Sequence, residues 1–291
     1  MRLLKLTETG GLCLTTFHSG EIPPYAILSH TWGPTWEEVT FADLGSNREQ
    51  DRAGYQKLQI CGNKALEDGL SYFWVDTCCI DKTSSSELSE AINSMFRWYQ
   101  NAARCYAYLS DIVVNEADPS GDHQPTWHSS FRNSRWFTRG WTLQELLAPT
   151  SVHFLSRDGK VLGDKSSLAT QIHDITGIPI TALRGALLST FSVEDRLRWA
   201  ESRLTTIPED KVYSLLGLFG VYMPLIYGEG EEHAYRRLEQ VITRTIGHSF
   251  FSVPFQRDPE FVGREELLER MEQKLDKQGT KIALCGLGGV G

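Results

Sequence analysis

The sequence predicts an α/β protein in which a parallel sheet is followed by a helical C-terminal elaboration. Three observations predict it. Two short apolar runs, Tyr25-Ala-Ile-Leu-Ser29 and Tyr72-Phe-Trp-Val-Asp76, break abruptly into polar and ring-bearing residues. Buried parallel strands have this pattern where they deliver side chains at their carboxyl ends. Strand-like and helix-like segments then alternate as far as Leu155, as parallel strands with crossover connections require. From about Ser166 onward the periodicity is helical throughout.

The elements follow in order. Pro23-Pro24 is a turn signal that opens the first strand, Tyr25 to Ser29. A helix from about Gly54 shows Leu58, Cys61 and Ala65 on one face and stops at Gly69. Tyr72 to Asp76 is the second strand, aromatic-rich and free of interior charge. A helix then starts after Ser84, which makes a capping-box pattern with Glu87, and Leu88, Ile92, Met95, Tyr99 and Ala102 form its stripe. Cys105 to Leu109 is the third strand. The polar stretch Asn115 to Ser130 reads as a loop, Trp141 to Leu147 as a helix stopped by Pro149, and Ser151 to Leu155 as the fourth strand. Four helices are expected beyond: Leu168 to Ile175, Ser192 to Arg203, Glu209 to Phe219 and Glu229 to Ile246. The uncharged run Val212 to Gly228 holds Gly217, Gly220 and Pro224 and is shorter than the roughly 20 residues that span a bilayer, so it reads as a buried helix and turn.

Composition narrows the function classes. The 291 residues suit one large domain and part of a second, and 41% apolar content with 11% aromatic residues builds a substantial core. A net charge of −8 and a pI near 5.5, with no basic patch, speak against a nucleic-acid partner. The six cysteines, most of them inside apolar runs and none in a C-x-x-C, suit reduced buried thiols better than a disulfide framework. Charge appears at the N-terminus before any signal-peptide core, so a cytoplasmic location is expected.

Three strings carry a family likeness: Tyr25-Ala-Ile-Leu-Ser-His-Thr-Trp-Gly33, Tyr72-Phe-Trp-Val-Asp-Thr-Cys-Cys-Ile-Asp-Lys82 and Ser134-Arg-Trp-Phe-Thr-Arg-Gly-Trp-Thr-Leu-Gln-Glu-Leu-Leu-Ala-Pro149, with Glu87-Leu-Ser-Glu-Ala-Ile-Asn-Ser-Met95 between the last two. Together they resemble the fungal heterokaryon-incompatibility (HET) domain, from about Met1 to Thr245. On this likeness residues 1–250 are the HET domain, with residues 1–160 a TIR-like (flavodoxin-like) α/β part and residues 161–250 a helical part. Residues 251–291 are similar to the linker and truncated start of a NACHT or NB-ARC nucleotide-binding domain. There Gly286, Gly288, Gly289 and Gly291 stand in the glycine half of a phosphate loop, and the string stops before the lysine and the hydroxyl residue that complete the motif. The resemblance implies that ATP or GTP binds only in a longer chain. It also implies a death-inducing effector of non-self recognition, with self-association through the HET and nucleotide-binding domains and a protein partner from an incompatible strain.

The candidate chemistry comes from the same likeness. In TIR domains that cleave NAD⁺, the catalytic glutamate lies in a W-C-x-x-E-L string on the helix after the third strand. The similar string here is Trp141-Thr-Leu-Gln-Glu-Leu146, which makes Glu145 the catalytic candidate and leaves Thr142 where the cysteine often stands. One fixed carboxylate suits this reaction because it passes through an oxocarbenium-like state and the leaving nicotinamide is neutral. Ser29, His30, Trp32, Asp76 and Trp141 are the substrate-binding candidates; Trp32, Trp141 and Tyr72 are expected to offer stacking surfaces, and His30 to meet ribose or phosphate. The structural alternatives are that Glu145 caps its helix or pairs with Arg135 or Arg139, that His30 orders its loop, and that Asp76 caps the turn before Cys78. Asp81 and Lys82 are expected to pair with each other in solvent, and Glu209-Asp210 to start a helix. A cysteine nucleophile at Cys78 or Cys79 with His30 as base is the rival chemistry. No metal site is expected from eight scattered histidines, and no G-x-G-x-x-G marks a dehydrogenase.

Overall fold

The computed structural model describes residues 1–246 apart from 19, 47 and 115–126. The chain divides after Phe250. The phosphate-loop glycines, the linker before them and most of the expected loop Asn115 to Ser130 lie outside the described residues.

The centre is a seven-stranded sheet of order β2-β1-β4-β3-β5-β6-β7. Its strands are β1 (Arg2–Leu6), β2 (Leu12–Thr16), β3 (Tyr25–His30), β4 (Tyr72–Trp74), β5 (Arg104–Leu109), β6 (Val152–Ser156) and β7 (Val161–Asp164). The four expected strands are β3, β4, β5 and β6, and their pairings are all parallel. They lie second, first, third, fourth, so the winding reverses between β3 and β5. Ligands of open α/β sheets bind at the carboxyl ends of such a reversal. All six residues of β3 are buried, which is why it reads as a continuous apolar run.

Antiparallel strands finish both edges. The hairpin of β1 and β2 went unpredicted, although Thr7 to Gly11 make its turn and Gly10 takes a positive φ of 82° there. Cys13 is exposed on this edge strand, against the expectation of buried thiols, whereas Cys61, Cys78, Cys79 and Cys105 are buried. At the other edge β7 pairs antiparallel with β6, so the helical part begins only after Asp164.

Helices α1 (Phe41–Ser46) and α2 (Tyr55–Glu67) follow β3, and α3 (Ser85–Asn101) follows β4. The Ser84 hydroxyl caps α3 by accepting from Glu87 N, but the Glu87 carboxylate does not close the box. It binds Arg2 and the backbone of Asp81 instead. Next come α4 (Trp127–Arg132), which turns the end of the expected loop into helix, and α5 (Thr142–Leu147). Neighbouring residues of β5 show the two covered faces: the Tyr106 hydroxyl donates to Lys64 O on α2, and the Cys105 thiol donates to Glu145 O on α5.

The remaining helices are α6 (Ala169–Thr176), α7 (Ile180–Leu183), α8 (Val193–Glu201), α9 (Asp210–Tyr213), α10 (Leu216–Phe219) and α11 (Glu231–Ile246). The single helix expected over Glu209 to Phe219 is two short ones, and α7 was not foreseen. This half is fastened to the sheet layer at defined points. Gly217 packs directly on Phe96 of α3, and Asn93 exchanges hydrogen bonds of 3.2 Å with both backbone groups of Met223. Ala234, Leu238 and Ile242 form the buried stripe of α11, which packs on α9.

Candidate functional site

Ser29 and His30 end β3, the first parallel strand, where the winding reverses. Consecutive strand residues face opposite sides, so the two open different neighbourhoods.

On Ser29's side lies Glu145. The Ser29 hydroxyl donates to Glu145 Oε2 at 2.5 Å and accepts from the Trp136 indole N–H at 2.8 Å. All three residues are buried. Tyr99, whose hydroxyl donates to Leu28 O, also lies within hydrogen-bonding reach of the Glu145 carboxyl. Burial raises the Glu145 pKa to about 8; the Ser29 hydrogen bond opposes the rise, the Asp76 charge adds to it, and Tyr99 and Arg203 oppose it. Neither Arg135 nor Arg139 pairs with Glu145, as the structural alternative required. The Arg135 guanidinium reaches Thr31 and that of Arg139 reaches Thr206.

The cation that acts on Glu145 is Arg203, from the segment after α8. Leu204 forms a parallel bridge with Arg139, giving Leu204 N to Thr138 O at 2.6 Å and Gly140 N to Leu204 O at 2.9 Å. This bridge holds Arg203 against the start of α5. Its Nη1 donates to Arg139 O and to Thr142 Oγ1, both at 2.9 Å, while its Nη2 is buried without a hydrogen-bond partner. Burial lowers the Arg203 pKa to about 10, and the Glu145 charge works against that fall. Thr142 is thus a bonding residue that ties the helical part to α5.

On the His30 side is a second cluster. His30 Nε2 lies 3.9 Å from Glu38 Oε2 and 3.9 Å from Asp76 Oδ1. Glu38 accepts from Gly33 N and from Lys57 Nζ, both at 2.6 Å, and Asp76 accepts from the Trp32 indole at 2.9 Å. Burial, with the charges of Lys57 and Lys82, holds the His30 pKa well below the ordinary histidine value, so the ring is neutral. Burial raises the Asp76 pKa, with Lys82 and the Trp32 hydrogen bond opposing. The Lys82 ammonium stands 3.6 Å over the Trp32 ring centroid, and Asp81 turns to Thr83, so the expected Asp81–Lys82 pair does not form.

Trp141 is half-buried and hydrogen-bonds Asp210, which also accepts from the Tyr227 hydroxyl at 3.0 Å. Asp210 therefore faces the Trp141 wall as well as starting α9. Glu209 instead holds a loop, accepting from Gly228 N and Gly230 N at 2.8 Å each. Tyr72 is not part of the site. It pairs in register with Tyr25 at the amino ends of the strands and packs on Phe17, so only Trp32 and Trp141 remain as ring surfaces at this end.

The cysteine chemistry loses its geometry. Cys78 and Cys79 are buried, burial pushes the Cys78 thiol well above the ordinary value, and Cys79 Sγ accepts from Val75 N. A reactive cysteine needs thiolate and access. Among the described residues no group of three His, Cys, Asp or Glu side chains is placed to hold a metal ion. No helix among them is long and apolar enough to cross a membrane.

A serine, a carboxyl and an indole are thus locked together at the strand ends, where the sheet meets the helical half. Residues 25–120 match the family described as heterokaryon incompatibility protein (HET). Over 248 residues it is 55% identical to the vegetative incompatibility protein HET-E-1 of Podospora anserina, an alignment covering 85% of this chain and 18% of that protein. No solved structure matches the chain.

Proposed function

We propose that this chain is the effector part of a vegetative incompatibility protein, acting in the cytoplasm, and that it triggers cell death by hydrolysing NAD⁺ when clustered. The likeness to HET-E-1 supports the incompatibility role, and the order of the four parallel strands supports a TIR-like, flavodoxin-like reading of the sheet. The observation that carries the chemistry is the Ser29–Glu145 pair, a buried carboxyl oriented by a hydroxyl at the switch point.

In this reading the C–N bond between ribose and nicotinamide breaks with its electron pair passing to the ring nitrogen, which leaves neutral. Glu145, in the ionised form that gains population as pH approaches 8, stabilises the cationic sugar, water adds to the same carbon, and its proton is released, giving ADP-ribose and nicotinamide. Ser29 orients the carboxylate, and Trp32 and Trp141 flank the bound rings. Clustering comes from self-association of the HET domain together with a nucleotide-binding domain that takes ATP or GTP in a longer chain, after contact with a protein from an incompatible strain. Incubating the clustered protein with NAD⁺ and assaying nicotinamide and ADP-ribose tests the reading: stoichiometric products support it, and intact NAD⁺ rejects it.

One observation favours a second reading, a non-enzymatic scaffold for death signalling. Glu145 is only 6% exposed and Ser29 is 0% exposed beneath the helical half, an arrangement that also serves to hold two layers together. Killing without NAD⁺ loss would select it.

A further inference from the structure

His30 Nε2 lies in the interior without a hydrogen-bond partner and faces Glu38 Oε2, which is paired with the Lys57 ammonium at 2.5 Å. Lys57 Nζ sits against both oxygens of Glu38, with its hydrogen bond directed to Oε1. Asp76 spends Oδ2 on the Trp32 indole, which leaves Oδ1 toward the same His30 nitrogen. A buried donor or acceptor left unmatched costs about 1–3 kcal/mol, so the His30 nitrogen calls for a hydrogen-bond partner.

The separations define what fits. Both carboxylate oxygens are 3.9 Å from Nε2, too far for direct bonds. A single oxygen about 2.8 Å from Nε2 and from either carboxylate oxygen closes that triangle at a right angle, comfortable for a hydroxyl. It would accept from the imidazole N–H and donate to a carboxylate, a combination that neutral hydroxyls supply. Of ribose and phosphate, the two expectations for His30, this geometry favours the ribose hydroxyl, because the oxygens facing Nε2 are acceptors that need a donor. The exposed edge of the cluster is Asp76, whose side chain is 18% exposed against 1% for His30 and 7% for Glu38.

We propose that His30, Glu38 and Asp76 form a hydroxyl-binding subsite that takes one hydroxyl of the ribose attached to nicotinamide. This rests on the reading that NAD⁺ is hydrolysed beside Glu145. The nearer ribose is assigned because Asp76 links the two clusters: its Oδ1 faces His30 Nε2 at 3.9 Å and its charge acts on Glu145. Glu38 and Lys57 thereby gain a role that no sequence motif indicated: Lys57 fixes the Glu38 carboxylate that receives the hydroxyl proton.

The test compares NAD⁺ with analogues lacking the 2′- or 3′-hydroxyl on the nicotinamide-side ribose, and with analogues deoxygenated on the adenosine-side ribose. The clustered 291-residue protein is assayed first, then its folded His30→Gln and Glu38→Gln variants. In the parent, removing one nicotinamide-side hydroxyl should lower kcat/KM at least tenfold, and adenosine-side removal should leave it within about twofold. In either variant kcat/KM on NAD⁺ should fall to a similar extent, with no further loss on the deoxy analogue. Equal turnover of NAD⁺ and the nicotinamide-side analogues by the parent overturns the subsite while leaving the hydrolase reading intact, and needs no variant to fold. Loss on the adenosine-side analogues alone also overturns it. A parent that neither binds nor cleaves NAD⁺ removes the reading and the subsite together.

Discussion

Ser29 and Glu145, 116 residues apart in sequence, share a buried hydrogen bond of 2.5 Å. The serine ends the first parallel strand and the carboxylate sits in the first turn of α5, so the pair joins the sheet to the helix that follows its third parallel strand. Trp136 completes the arrangement by occupying the serine's acceptor side, which leaves the hydroxyl proton for the carboxylate.

Replacing Ser29 with Ala should therefore raise the Glu145 pKa further, because a hydrogen bond to an ionised group is worth about 1.5–3 kcal/mol. The expected result is a loss of roughly tenfold or more in kcat/KM near neutral pH, partly recovered as pH rises. The measurement is the pH profile of NAD⁺ turnover; a profile identical to the parent's would remove Ser29 from the site.

The raised Glu145 pKa gives stability a definite pH dependence. Its carboxyl titrates near the ordinary 4.5 when unfolded and near 8 when folded, so the folded state holds more protons between these values. Its contribution is complete below 4.5 and is lost as pH rises through 8, by as much as about 5 kcal/mol. Glu145→Gln should flatten that decline and be the more stable protein at pH 9, as read by urea midpoints. His30 acts with the opposite sign. Its depressed pKa contributes stability above the ordinary 6.5 that falls away as pH drops below it.

Gly217 tests how the helical half is fastened. A methyl group there would overlap Phe96 Cβ, a contact that one of the two helices must yield to. Gly217→Ala should cost about 2–3 kcal/mol by overpacking α10 against α3. A melting temperature within a degree of the parent's would mean that the halves are held elsewhere.

Cys78→Ala and Cys79→Ala should leave NAD⁺ turnover unchanged while lowering stability by about 1–2 kcal/mol each, because both thiols are interior packing groups. Loss of turnover in a folded Cys78→Ala protein would reopen the cysteine mechanism.

The parts legible in the sequence were those written locally. The four parallel strands announced themselves as apolar runs, and α3 as a capped stripe beginning at Ser84. The β1–β2 hairpin was missed because β2 is an edge strand with no buried residue and β1 buries only Leu3 and Leu4, so neither carries such a run. Glu209 to Phe219 looked like one helix because its apolar spacing continues through the junction at Ser214 and Leu215. Tyr72 was placed among the site rings for its composition, yet the parallel register that aligns it with Tyr25 sends it to the far end of the sheet. Glu38, Lys57, Tyr99 and Arg203 carry no motif for the site, since each reaches it only through tertiary packing.

The most direct measurement is NAD⁺ consumption by clustered parent and Glu145→Gln proteins, with circular dichroism and melting to verify that both are folded. A catalytic carboxylate supplies several kcal/mol of transition-state stabilisation, so the account predicts a loss of about a hundredfold or more in the variant, and with it the loss of cell killing. A folded Glu145→Gln protein that consumes NAD⁺ at the parent rate would contradict it.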